Sequence, residues 1–237
     1  MLAAVALFAL FADPTGAGDV PALGSPPPGE YRALGPGDAP YSLDGLERSL
    51  APTGPVRCPT VPLVVYRGTT LAYQKPMRVY RDLVPRLALF EGVVRDVARE
   101  VYGRAPVRIR HDGTYNCRRI ARFPDVLSEH GLGNAIDVEG FDFAAARGSE
   151  LGAAPRGLAG RFEVRLGPHW KATRGTGAIH ARFLATLAER LVKRPEIFRV
   201  LLGPAFPAHQ RHFHFDMAPY RLVAIWDDPL AASISSQ

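Results

Sequence analysis

The stretch His209-Gln210-Arg211-His212-Phe213-His214-Phe215-Asp216-Met217 holds three of the seven histidines of this 237-residue chain, and from Arg211 onward it alternates polar with large apolar side chains. Period two is the pattern of a β-strand with one buried face. On such a strand His212, His214 and Asp216 line one side, while Phe213, Phe215 and Met217 point into a core. Two imidazoles and a carboxylate then face one cleft, which is more than a lone core or surface histidine would explain.

A second cluster precedes it, Ser128-Glu129-His130-Gly131-Leu132-Gly133-Asn134-Ala135-Ile136-Asp137. Gly131 and Gly133 permit a tight turn and close backbone approach, so His130 before the turn and Asp137 on the strand after it can converge. Taken alone, this pair is a weak signal and reads more readily as a capping or turn-stabilising histidine and aspartate. Taken with the first cluster, it supplies two histidines and one aspartate from neighbouring strands, a donor set that suits a catalytic zinc site with one position left for water. His130, Asp137 and His214 are the expected ligands. His212, on the face of His214 at two-residue spacing, is the expected handler of the proton. Zinc held this way lowers the pKa of its water to ~7 and polarises a carbonyl, so amide hydrolysis becomes accessible at neutral pH.

Around these clusters the apolar spacing predicts two helices. Leu83, Leu87, Phe90, Val94 and Val97 recur at three and four within 79–102, and Pro85 fits only a first turn. Ile179, Phe183, Leu187 and Leu191 mark a second helix over 178–191. Strand-like alternation is found over 107–111 and, more loosely, over 134–143. Helices set apart from consecutive short strands predict an α+β domain whose small antiparallel or mixed sheet is flanked by helices.

The composition, 47% apolar and 22% charged, suits one sizeable core and excludes a disordered chain or a multi-domain machine. Charge is uneven. Residues 1–56 carry six acidic against two basic side chains, a net of −4, and the remainder of the +6 chain is therefore +10. Such a surface favours polyanions, or is simply well solvated. Two cysteines, Cys58 and Cys117, exclude a four-sulfur zinc cage and leave either one disulfide or two buried thiols.

The N-terminal run MLAAVALFALFA is too short for the ~20 residues of a membrane helix and is followed by small residues, so residues 1–18 are expected to be a signal peptide. No Lys or Arg precedes the run. The Pro- and Gly-rich residues 19–57 are expected to form a tether, residues 58–220 the domain, and 221–237 a tail.

The pattern Ser128-x-His130-x-x-Gly133-x-Ala135-x-Asp137 followed by His212-x-His214 resembles the signature of the zinc D-Ala-D-Ala carboxypeptidases and of the related lysostaphin-type and hedgehog-type folds. It is closer still to the bacterial extensin-like C-terminal domain family. There Gly113 to Arg118 with its Tyr115-x-Cys117, Ser128 to Phe141, and Leu202 to Asp216 recur in this order. The resemblance covers about Cys58 to Pro219. It implies that fold, zinc held by His130, Asp137 and His214, and His212 as general base or acid. Arg118 stands where carboxypeptidase relatives place an arginine that binds a substrate carboxylate or steadies the oxyanion, a task that suits a guanidinium. Arg119 and a plain surface role for Arg118 are the alternatives. Asp216 and Glu129 would orient the ligand imidazoles, although Glu129 also reads as an exposed acid.

The chain departs from the relatives in three places. Arg211 replaces the glutamate of the dipeptidase branch, cysteines are fewer so that a Cys58–Cys117 bridge is all that remains, and 144–170 is Gly- and Arg-rich. The expectation is an exported, periplasmic or wall-associated zinc metallopeptidase acting on peptidoglycan amide bonds as a carboxypeptidase or endopeptidase. The rival is a non-catalytic wall-binding module on the same fold. Nucleic acid is not an expected partner, because the basic residues are scattered arginines without an aromatic stripe. Membrane contact is expected only through the signal segment.

Overall fold

The computed structural model describes residues 30–226. The expected signal peptide, the first part of the expected tether and residues 227–237 lie outside the described residues. The elements in chain order are β1 (Glu30–Ala33), β2 (Leu63–Tyr66), β3 (Ala72–Tyr73), β4 (Met77–Tyr80), α1 (Val84–Tyr102), β5 (Arg108–Gly113), β6 (Arg119–Ile120), β7 (Phe123–Leu127), β8 (Ala135–Phe143), α2 (Glu150–Ala153), β9 (Phe162–Arg165), α3 (Leu166–His169), α4 (Gly175–Val192), β10 (Val200–Leu202), β11 (Phe213–Asp216) and β12 (Tyr220–Ala224).

One mixed sheet runs β1-β12-β10-β11-β8-β5-β3, with β9 added to β8, and two small ribbons, β2-β4 and β6-β7, stand apart. Most neighbours are antiparallel; β10-β12 and β3-β5 are parallel. The α+β class with a mixed sheet is therefore what the chain adopts.

The 3.6-residue stripes hold the sheet to its helices. In α1 the side chains of Leu87, Phe90, Val94 and Val97 are wholly buried. Each such burial stabilises by roughly 2 kcal/mol relative to exposure. Pro85 sits in the first turn, where its missing N–H costs nothing. Leu83 and Val79 precede the helix, in a single 3₁₀ turn and in β4. The Phe90 ring packs 5.8 Å from Phe215 of β11, and Phe183 of α4 packs 5.2 Å from Phe141 of β8. In β8 and β11 the apolar positions thus face the helices, and Asp137, His214 and Asp216 alternate with them.

The loose alternation of 134–143 has a physical cause. Arg110 and His111 of β5 pair with Gly140 and Val138, so Glu139 is an extra residue, and Asp112 is similarly extra between His111 and Gly113. A bulge shifts the side-chain phase. Inward positions are Ile136 and Val138 before it and Phe141 and Phe143 after it, all wholly or almost wholly buried.

Both expected domain limits need correction. Residues 30–57 are not a free tether: β1 pairs with β12, Tyr41 and Leu43 enter the core, and Ser49 bridges Val126. This strap contributes single side chains rather than an amphipathic face, so it carries no periodicity to read. The expected tail likewise begins inside β12, and Val223 and Ile225 belong to the core. Among the described residues no helix is long and apolar enough to cross a membrane.

Candidate metal centre

His130 is delivered by a short 3₁₀ turn, Glu129–Leu132, whose preceding Ser128 hydroxyl accepts from the His130 N–H. Two glycines make that turn possible. A side chain at Gly131 would begin 2.8 Å from Cys58 Sγ, and Gly133 closes the turn at φ +62° with Tyr80 N only 3.0 Å from where a Cβ would sit. That conformation is strained for any other residue.

Asp137 and His214 arrive from adjacent strands as direct partners in the β8-β11 register. The three groups meet. His130 Nε2 is 3.2 Å from both Asp137 Oδ1 and His214 Nδ1, and His214 Nδ1 is 2.9 Å from Asp137 Oδ1. His130, Asp137 and His214 form the one group of potential metal-holding side chains found among the described residues.

The far side of each ring fixes its chemistry. His130 Nδ1 lies 3.0 Å from the Thr114 carbonyl, which can only accept, so that nitrogen carries the proton and Nε2 presents a lone pair. His214 Nε2 lies 2.7 Å from Asp216 Oδ2, and Asp216 Oδ1 accepts from the Ala218 N–H. His214 therefore turns Nδ1 inward. Two imidazole nitrogens and a carboxylate oxygen at this spacing demand a positive charge between them. Burial alone would raise the Asp137 carboxyl, but the His130 and His214 imidazoles against it hold it far below the usual carboxylate range. Burial would lower His214, yet its bonds to Asp137 and Asp216 push it up to about 10. A metal ion exchanges for the proton at such a place. The donors and their outer partners fit a zinc-like ion, which commonly has histidine ligands braced by carbonyl or carboxylate.

With this geometry established, comparison with known families is informative: residues 47–225 match the family described as Extensin-like protein C-terminus. The chain belongs to that family. No curated protein and no solved structure matches it.

In this extensin-like domain His212 stands beside the cluster, its Nε2 3.8 Å from Asp137 Oδ1 and its Nδ1 3.9 Å from Asp112 Oδ2. Burial lowers its pKa. His209 packs edge-on against it at 5.0 Å. Arg118 is not brought into the cluster: its guanidinium is exposed and donates to the Arg119 carbonyl, although its own carbonyl accepts from Ser128 N–H below His130. Arg119 is tied to the carbonyls of Ala51 and Thr53.

Glu129 is neither an exposed acid nor a partner of a ligand ring. It is buried, ion-paired with Arg48, and accepts from Asn134 Nδ2 at 2.6 Å, so it braces the turn rather than an imidazole. Cys58 and Cys117 are joined as a disulfide, and Cys58 Sγ lies against Gly131 of the turn. Sequence reasoning missed three groups of the site: the Thr114 carbonyl, Asp112, and Arg48 of the strap. A backbone oxygen has no signature in sequence, Asp112 is exposed by a bulge, and Arg48 lies 81 residues from its partner. Nothing in their local sequence marks them.

Proposed function

We propose that this extensin-like domain is an exported zinc-dependent peptidase that hydrolyses amide bonds of peptidoglycan peptides, on a fold related to the D-Ala-D-Ala carboxypeptidases. The observation that carries the reading is the meeting of His130 Nε2, His214 Nδ1 and Asp137 Oδ1, each imidazole anchored from behind by an acceptor. Zinc held by these residues would supply Lewis acidity toward a carbonyl and a water of pKa ~7.

His212 is placed to move the proton, because its Nε2 edge borders Asp137 while its other nitrogen faces Asp112. As water adds to the amide carbon, His212 takes the water's proton. It returns that proton to the amine nitrogen as the C–N bond breaks, which leaves a carboxylate and an amine. The Cys58–Cys117 disulfide supports an oxidising compartment, and the +10 charge after residue 56 suits an anionic wall.

The test is metal analysis of the purified protein followed by digestion of peptidoglycan with wild type and His212→Ala. About one zinc per chain and a product lost in the variant are expected. Less than about half an equivalent, unchanged on His214→Ala, would remove the reading. The outward-facing Arg118 favours a second reading, a wall-binding module without turnover. Equal product from wild type and His212→Ala would support it.

A further inference from the structure

Beside the candidate centre an open groove of about 310 Å³ runs between Lys75–Arg78 and the end of β5 with the residues after it, His111–Tyr115. Three consecutive residues of that second wall also touch the centre. Asp112 faces His212, Gly113 pairs in register with Asp137, and the Thr114 carbonyl holds His130. The Thr114 hydroxyl donates to the Arg78 carbonyl at 2.9 Å, so one residue ties the two walls together.

Arg78 is exposed, and its guanidinium lies 4.8 Å from the centroid of the Tyr115 ring. Stacking leaves the N–H edge of a guanidinium available, and that planar edge matches a carboxylate through two parallel bonds. Lys75 is exposed on the same wall, and among the described residues no carboxylate pairs with either cation.

We propose that this groove binds a carboxylate-bearing peptide, with Arg78 gripping the carboxylate and Lys75 as a second cation. The assignment rests on the peptidase reading and gives Arg78 the carboxylate-recognising role expected of Arg118. Two cations three residues apart in one short groove suit localised carboxylates on a peptide. An acidic polysaccharide would call for a longer row of cations, and here Asp112 interrupts it.

Calorimetry on the full chain tests this, using a synthetic stem peptide with free carboxylates and the same peptide fully amidated, each with zinc removed and with zinc added. The free acid is expected to bind about tenfold tighter or more, the worth of one charge-assisted pair. Arg78→Gln is expected to abolish that preference. Equal affinity for acid and amide, undiminished preference in Arg78→Gln, no peptide binding, or tighter binding of polygalacturonate than of the peptide overturns the proposal. Binding is read without turnover. Failure to hold zinc or to cleave peptide therefore sinks the peptidase reading alone, and cleavage without an Arg78-dependent preference sinks the groove assignment alone.

Discussion

Asp137 and His214 face one another across the β8-β11 pair, and their Oδ1 and Nδ1 atoms are 2.9 Å apart. Directly opposed residues of an antiparallel pair have Cβ atoms about 5 Å apart, so strand register alone supplies two thirds of the donor set. Only His130 has to be delivered by a turn. A one-residue slip would send His214 to the core side and Phe213 or Phe215 to the site.

Asp216 fixes which nitrogen of His214 faces inward. Asp216→Asn keeps the shape and removes the charge, and zinc affinity is expected to fall about 10- to 100-fold. Competition with a chromophoric chelator measures this. Unaltered affinity would mean that the carboxylate does not orient the ring.

The strap is held to the turn that carries His130 by the buried Arg48–Glu129 pair, and Arg48 also donates to the carbonyls of Leu43 and Leu46. Arg48→Met leaves the Glu129 carboxylate buried with Asn134 as its remaining side-chain partner, and should cost about 3–5 kcal/mol in urea unfolding. Glu129→Gln added to it should restore part of the loss. A cost below about 1 kcal/mol would show that the strap is detached in solution.

Cys58 and Cys117 are 59 residues apart in sequence. Closing a loop of that length restricts the unfolded chain by about 4 kcal/mol. The Cys58→Ser/Cys117→Ser double variant is expected to unfold at lower urea by a corresponding margin. Equal midpoints for wild type with and without reductant would contradict this.

His180 is buried beside Tyr102, its Nδ1 3.0 Å from the phenol oxygen. Burial, with the neighbouring His169, lowers its pKa from 6.5 to about 4. The unfolded chain therefore takes up a proton that the folded chain refuses between those values. Its contribution is intact above pH 6.5 and declines as the pH falls toward 4, by at most about 3 kcal/mol. His180→Gln should flatten this part of the stability profile. An unchanged slope between pH 6.5 and 4 would contradict the account.

Much of the fold was legible because it rests on period. The stripe of α1 from Leu87 to Val97 and that of α4 from Ile179 to Leu191 each reflect one buried face, with Leu83 in the 3₁₀ turn before α1. Of the alternating stretch from Arg211 to Met217 only Phe213–Asp216 forms the strand, so His212 lies just before it rather than on its face. What escaped lacks a period. The strap enters the core through Tyr41 and Leu43 alone, β12 lies in what read as a tail, and the bulges at Asp112 and Glu139 break the alternation beside the site. The convergence of His130, Asp137 and His214 could be anticipated from residue type and spacing. The departure of Arg118 could not, because the direction of a surface side chain depends on neighbours that its own sequence does not name.

Diffraction from crystals grown with zinc, recorded on both sides of the zinc absorption edge, tests the central claim most directly. One strong anomalous peak is expected ~2.0–2.2 Å from His130 Nε2, His214 Nδ1 and an Asp137 oxygen. Zinc bound only elsewhere, or no peak within reach of these three atoms, would contradict it.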